Sequence, residues 1–197
     1  FLRCIHHNFT ENNSMVKDDI FYPKVVAGID SFVSTKDYHC IFKYVYEQDL
    51  DDKSIQNIIN KTDAIICAEL HSKSFHDKLL AANLPLVLVN PSVISNEADV
   101  VGIDDFAGGY RAVEYLLSQN HKEIAFIGGS CESFPGKYRK YGYLEALSKA
   151  GLKADDSRIL SYDWRLEDGY QATLELLKLK KKPTAIFAAS DLLAIGA

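Results

Sequence analysis

The sequence contains no apolar run approaching the roughly 20 residues that a bilayer-spanning helix needs. Its opening, Phe1-Leu2-Arg3-Cys4-Ile5-His6-His7, has a short apolar patch and no small-residue cleavage pattern, so neither a membrane span nor a secretory leader is expected. Cysteine is scarce: Cys4, Cys40, Cys67 and Cys131 are scattered and make no CxxC pair. That excludes a disulfide scaffold and a paired-cysteine zinc or redox motif, and Cys67, inside an apolar run, reads as a small buried hydrophobe. Basic charge is in deficit, Lys+Arg 22 against Asp+Glu 27 for a net charge of −5, so the chain has no electrostatic footprint for gripping nucleic acid by itself. With Gly 11 and Pro 5, collagen-like and low-complexity classes drop out. What remains, 47% hydrophobic and 25% charged over 197 residues, is a reduced, cytosolic, soluble composition. It can build one large domain or two lobes of about 100 residues each.

Catalytic signatures are missing too. The Gly128-Gly129-Ser130 turn, with Gly136 further on, has neither GxGxxG nor GxxxxGK(S/T) spacing and reads as a tight strand-to-loop turn. His6 and His7 fall on alternate faces of a strand, and His71 and His76, five apart, leave a common helical face. No nucleophile–base pair, metal cluster or cofactor fingerprint emerges, and an enzyme is not expected. The basic run over residues 178–182 reads as a solvated helix end.

Present instead is an alternation of short apolar runs with amphipathic stretches. The runs cover residues 2–5, 39–45, 63–68, 85–89, 100–103, 123–127, 158–160 and 184–188. Several, such as Leu86-Val87-Leu88-Val89 and Ala185-Ile186-Phe187-Ala188, are continuously apolar, which suits strands covered on both faces. Between them lie helical stripes: Val25, Ile29 and Phe32; Ile55, Ile58 and Ile59; Leu79 and Leu80; Val113, Leu116 and Leu117; Leu144 and Leu147; Leu174 and Leu177. Strands and helices at this pitch predict βαβ units and an α/β fold of doubly wound parallel sheets. The polar stretch at residues 90–99 precedes a short strand and a helix opening at Asp104-Asp105, which places a boundary between two lobes at residue 103. Residues 191–197 read as two helical turns with no stop signal, as though the chain were cut in mid-helix.

Three stretches of the second half are similar to the effector-binding domain of the LacI/GalR family of bacterial transcription regulators. The first runs Asp104-Asp105-Phe106-Ala107-Gly108-Gly109-Tyr110-Arg111-Ala112, through Tyr115-Leu116-Leu117, to His121-Lys122-Glu123-Ile124 and Gly128-Gly129, with Asn120 where the family prefers glycine. The second is Arg139-Lys140-Tyr141-Gly142-Tyr143 with Ala146-Leu147 and Gly151-Leu152. The third, PTAIFAASDLLAIGA over residues 183–197, is the most specific. In the first half, Phe21-Tyr22 and Gly28-Ile29-Asp30 resemble the family's aromatic and glycine positions, with Asp19-Ile20 in place of its Asn-Pro.

The resemblance implies two lobes of the periplasmic-binding-protein type, residues 1–103 and 104–197, the second incomplete, with a small ligand in the cleft. It implies a homodimer whose operator DNA contacts reside in a helix-turn-helix headpiece outside this chain, and a C-terminal return also outside it. The implied ligand contacts are Phe21, Tyr22 and Asn90 from the first lobe and Asp104, Arg139, Trp164 and Ser190 from the second. Most have a plainer reading: Phe21 as a core staple, Asn90 as a turn starter before Pro91, Asp104, like Asp191, as a helix cap, Arg139 as a solvated helix-start cation, Trp164 as a loop anchor. One arginine fork, one stacking aromatic and neutral hydrogen-bonders suit a small neutral carbohydrate, with a nucleobase as the alternative effector. No cofactor and no membrane partner are expected. A periplasmic sugar-binding protein of a transport system is the alternative to a cytoplasmic repressor, since fold by itself does not separate them.

Overall fold

The computed structural model describes residues 2–8, 21–36, 38–46, 51–68, 70, 72–93, 95–130 and 133–197. Phe1, Asp19, Ile20, His71 and Cys131, named above, lie outside the described residues. The chain divides into two units, Phe1–Ile103 and Asp104–Ala197. In the first, β1 (Leu2–Asn8), α1 (Phe21–Val33), β2 (Cys40–Tyr46), α2 (Asp52–Ile59), β3 (Ala64–Ala68), α3 (Lys73–Ala81), β4 (Leu86–Val89) and β5 (Asp99–Val101) alternate as the apolar runs and stripes predict. The strands form a parallel five-stranded sheet in the order β2-β1-β3-β4-β5. The second unit contains α4 (Asp105–Ser118), β6 (Ile124–Gly128), α5 (Phe134–Lys149), β7 (Ile159–Ser161), α6 (Leu166–Leu176), β8 (Ala185–Ala188) and α7 (Asp191–Gly196), around a parallel sheet ordered β7-β6-β8.

Burial follows strand position. Central β6 is buried along its whole length, as a strand covered on both faces must be. β5, an apolar run at the sheet's edge, is exposed throughout, Val101 at 61%. β4 alternates buried and half-buried residues, so its unbroken apolar run does not mean equal cover on both faces. Cys67 is fully buried in the first unit's core among Ile65, Leu79 and Leu88, and burial pushes its thiol up to about 12. Two helical stripes differ from expectation. In α1 the row Phe21, Val25, Ile29 continues at spacing four to buried Val33, leaving Phe32 65% exposed. In α6 it is Ala172 and Leu176 that enter the core, while Leu174 and Leu177 stay on the surface.

Glycines set the helix packing of the second unit. A side chain on Gly109 of α4 would overlap the backbone of Arg139 in α5, and one on Gly142 of α5 would overlap the backbone of Phe106 and Tyr110 in α4. Gly169 of α6 and Gly196 of α7 bring that pair together in the same way, against Leu193 and Leu166. Helix ends are equally specified. After α4, Asn120 adopts φ 66°, its N–H bonding Leu117 O (2.9 Å) while His121 N–H bonds Leu116 O (3.2 Å). After α5, Gly151 adopts φ 71° with the same pair of bonds, Gly151 to Ser148 O and Leu152 to Leu147 O, each 2.9 Å. Both are left-handed stops in which the sixth residue's N–H reaches back to the first carbonyl, and asparagine is the residue after glycine that tolerates the position.

The amino end of the second sheet is closed by charge. Glu123, just before β6, accepts from Arg158 and from Lys181, and Arg158, 6% exposed, also donates to Lys181 O (3.2 Å). The basic run over residues 178–182 therefore lies beyond α6 rather than in its last turn, with Lys181 tied into the fold because Glu123 faces it. Nearby, buried Tyr143 donates its hydroxyl proton to Ile124 O (3.0 Å), and burial pushes its pKa up to about 12.

Two expected outcomes follow from the packing. At neighbouring positions Gly108 faces open space while Gly109 meets backbone. Gly108→Ala is expected to stabilise by roughly 0.4–1 kcal/mol and Gly109→Ala to destabilise by about 1–3 kcal/mol, read from urea denaturation midpoints. At the sheet's amino end, Lys181 first and Arg158 next hold the Glu123 carboxyl below the usual range, against an opposing push from burial. A carboxylate with a depressed folded pKa contributes stability above its unfolded value of about 4.3 and loses it as pH falls. Glu123→Gln is therefore expected to flatten the decline in thermal midpoint below about pH 4.3 relative to the parent.

Candidate functional site

In open α/β sheets ligands bind outside the carboxyl ends of the strands. In the second unit those ends are Gly128 of β6 and Ala188 of β8, and the polar chemistry converges beside them. Arg139, in the second turn of α5, donates from Nε to Asp105 Oδ1 (2.8 Å), and its Nη2 lies 2.8 Å from the same oxygen. Its Nη1 donates to the carbonyl of Ala189, the residue after β8, at 2.5 Å. The guanidinium also lies over the Trp164 ring, 5.7 Å from its centroid, at cation–π distance. Arg139 is thus no free helix-start cation. It is clamped between the start of α4 and the end of β8, with its side chain 25% exposed.

Trp164, in the loop between β7 and α6, is half-buried and packs against the second unit's core. A side chain on Gly129 would overlap the indole. Gly129, the residue after β6, therefore makes room for the indole, which gives it a packing role in place of a phosphate-loop one. Gly136 has a separate role: a side chain there would overlap the Ser130 carbonyl.

Helix caps claim other candidates. Asp104 accepts from Ala107 N–H (2.8 Å) and caps α4, the plainer of its two readings. At α7 the cap is Ser190, not Asp191: its backbone is extended (φ −151°, ψ 165°) and its Oγ accepts from Leu193 N–H at 3.3 Å, whereas Asp191 already belongs to the first turn. Ser190 nonetheless follows Ala189, whose carbonyl holds Arg139.

Asp105 was not singled out from sequence. Two acids open α4, and only the first can cap it; the second, 9% exposed, is the one that reaches Arg139. That redundancy is the signal available in the sequence.

The first unit brings Phe21 and Asn90 to one cavity of about 350 Å³, bounded by Val25 and Ile29 of α1 and by Val87 and Val89 of β4. Tyr22 is not among its lining residues, although its ring meets Phe21 edge-on at 5.0 Å. Asn90 adopts φ 46°, its N–H bonds Val101 O (2.9 Å) and its Oδ1 accepts from Ile103 N–H (3.1 Å), so it ties the end of β4 to the end of β5. It is the polar side chain in an otherwise apolar lining, the usual makeup of a small-molecule pocket. Among the described residues no group of three or more His, Cys, Asp or Glu side chains could hold a metal ion, and no helix is long and apolar enough to cross a membrane.

Parallel α/β units, the second with a clamped arginine and an adjoining aromatic at its strand ends, have the architecture of ligand-binding domains. Residues 15–197 match the family of periplasmic binding proteins and sugar-binding domains of the LacI family, and the chain belongs to it. It is 31% identical over 182 residues to catabolite control protein A of Priestia megaterium, covering 90% of this chain and 55% of that protein. It is 31% identical over 184 residues to the HTH-type transcriptional repressor CytR of Escherichia coli, covering 91% and 53%. Over 133 residues it is 32% identical to the HTH-type transcriptional repressor PurR of Pasteurella multocida, covering 68% and 40%. The chain thus spans about half the length of these relatives. Among solved structures, a LacI-family regulatory protein from Chloroflexus aggregans superposes with a TM-score of 0.85 at 26% identity, over all of this chain and 70% of that one. A transcriptional regulator CelR–cellobiose complex superposes at 0.78 and 26% identity, over all of this chain and 61% of that one.

The contact between Gly129 and Trp164 is testable without a ligand. Gly129→Ala is expected to displace the indole, moving tryptophan emission to longer wavelength while far-ultraviolet circular dichroism stays unchanged; unaltered emission would mean the ring does not rest on Gly129.

Proposed function

We propose that this chain is the effector-sensing and dimerising part of a cytoplasmic DNA-binding transcription regulator, a repressor, with Phe1–Ile103 and Asp104–Ala197 as its N-terminal and C-terminal lobes. Relatives that are transcriptional repressors support this over a transport protein, and the net charge of −5 fits DNA contacts made by a headpiece outside these residues. The observation that carries the reading is the clamped guanidinium over Trp164 at the carboxyl ends of β6 and β8.

The effector is a small neutral carbohydrate. A fixed fork of donors holds neighbouring hydroxyls, and an indole stacks on the apolar face of a sugar ring. The cellobiose in the CelR complex supports the same class. A nucleobase is the second reading, because the same aromatic plane and donor fork suit a flat heterocycle. Arg139, Trp164 and Ser190 are the proposed contacts of the second unit, with Asp104 as cap and contact; Phe21, Tyr22 and Asn90 are those of the first. Effector binding shifts a conformational equilibrium of the homodimer by its differential affinity for the two states. It thereby couples to operator affinity, typically by 1–3 kcal/mol, since two headpieces must match two half-sites.

A calorimetric screen of mono- and disaccharides and nucleobases against the purified regulator identifies the effector; binding confined to purines would overturn the carbohydrate assignment. Arg139→Ala is expected to weaken that binding by roughly 1.5–3 kcal/mol, about tenfold to over a hundredfold, and Trp164→Ala to weaken it comparably with the fold intact. Operator titrations at fixed salt, with and without effector, are expected to give different Kd values; identical values would reject the regulatory coupling.

A further inference from the structure

Helix N-termini at the carboxyl ends of parallel strands, with an arginine beside them, are the usual parts of an anion site. In the second unit three of the four α-helix starts, and the arginine, are already engaged, while α6 has no side-chain cap bond. Asp104 caps α4 at Ala107 N–H (2.8 Å), Ser133 caps α5 at Gly136 N–H (3.2 Å), and Ser190 caps α7 at Leu193 N–H (3.3 Å). The charge of Arg139 is matched by Asp105, which sits 9% exposed in the first turn of α4, where the helix dipole favours its carboxylate. Of the five guanidinium N–H groups, Nε and one on Nη2 face Asp105, and one on Nη1 goes to Ala189 O. One N–H on each terminal nitrogen has no partner among the described residues. Of the acids next in sequence to the site, Asp163 before Trp164 is paired with Arg165 (3.5 Å), and Asp191 follows Ser190.

Resting on the reading of Arg139 as an effector contact, we propose that Asp105 is a positioning and charge-neutralising residue that makes this site accept uncharged ligands and reject anionic ones. The guanidinium offers two donors in a fixed orientation but no net charge. A hydroxyl or carbonyl oxygen gains a hydrogen bond there at little desolvation cost. A phosphate or carboxylate would surrender its hydration shell to an ion pair already complete, with the starts of α4, α5 and α7 capped by side chains. Asp105 therefore sets the ligand class through Arg139, without touching the ligand.

The experiment is a calorimetric titration with inorganic phosphate, supported by Trp164 emission, on the parent protein, Asp105→Asn, Asp105→Glu and the double variant Asp105→Asn/Arg139→Met. The parent is expected to show no saturable phosphate binding. Asp105→Asn, which keeps an acceptor and removes the charge, is expected to bind phosphate at least tenfold more tightly than the parent. That gain should weaken with added sodium chloride, vanish in the double variant and be absent in Asp105→Glu, which retains the charge. A purely structural role for Asp105 would not create affinity for an anion. Should Asp105→Asn fail to fold by circular dichroism, Asp105→Ser takes its place. Saturable phosphate binding by the parent at Arg139 overturns the proposal, as does a folded Asp105→Asn that gains none. If Arg139→Ala still loses the effector in that case, only the role of Asp105 falls; if Arg139→Ala binds the effector normally, the assignment of the site falls with it.

Discussion

One guanidinium organises the second unit. Arg139 bonds a carboxylate 34 residues before it and a carbonyl 50 residues after it, joining the start of α4, the body of α5 and the end of β8. A largely buried ion pair is a weak source of net stability, because desolvating two charges offsets most of their attraction. Its effect here is geometric: three segments distant in the chain take one relative position, and the indole beside them is held over the same group. The clamp in turn requires α4 and α5 to approach closely, which is what glycine at 109 and 142 permits.

The two ends of the second sheet divide the work. At the amino end, Glu123, Arg158 and Lys181 pair among themselves and Tyr143 is locked to Ile124, so the charged groups described there are absorbed by the fold. At the carboxyl end the clamped arginine keeps donors in reserve and the aromatic stays half-buried. Buried charge is a structural fastener at one end and, at the other, is part of the proposed effector site. What separates the two cases is access: the Arg158 side chain is 8% exposed and its remaining donors are enclosed, whereas that of Arg139 is 25% exposed.

Much of this was legible in the sequence, for identifiable reasons. Every described strand falls on an apolar run, and every described α-helix on an amphipathic stripe or, for α7, on the reading of residues 191–197, because the period of burial is written in side-chain order. The words that carry the family resemblance have direct physical meanings. Gly109, Gly142 and Gly196 are helix contacts, Gly151-Leu152 is a helix stop, and Asn120 in the usual glycine position is the substitution that a left-handed residue tolerates. Less legible was anything that depends on which partner a side chain meets. Ser190 rather than Asp191 caps α7, Val33 rather than Phe32 enters the core, and Asp105 rather than Asp104 engages Arg139, although each pair is adjacent and both members suit the role. Adjacent residues in a helix point 100° apart, a difference that only the neighbouring elements resolve.

The burial of Cys67 has an experimental consequence. A thiol with no solvent access and a pKa pushed up to about 12 presents almost no thiolate to an alkylating reagent at neutral pH. It becomes reactive only when the sheet that encloses it opens, so the rate at which it is labelled measures excursions of the first unit. The only tryptophan of these 197 residues lies in the second unit. With labelling read at the Cys67 peptide, apart from those of Cys4, Cys40 and Cys131, the opening of the first unit can be timed against the emission of the second.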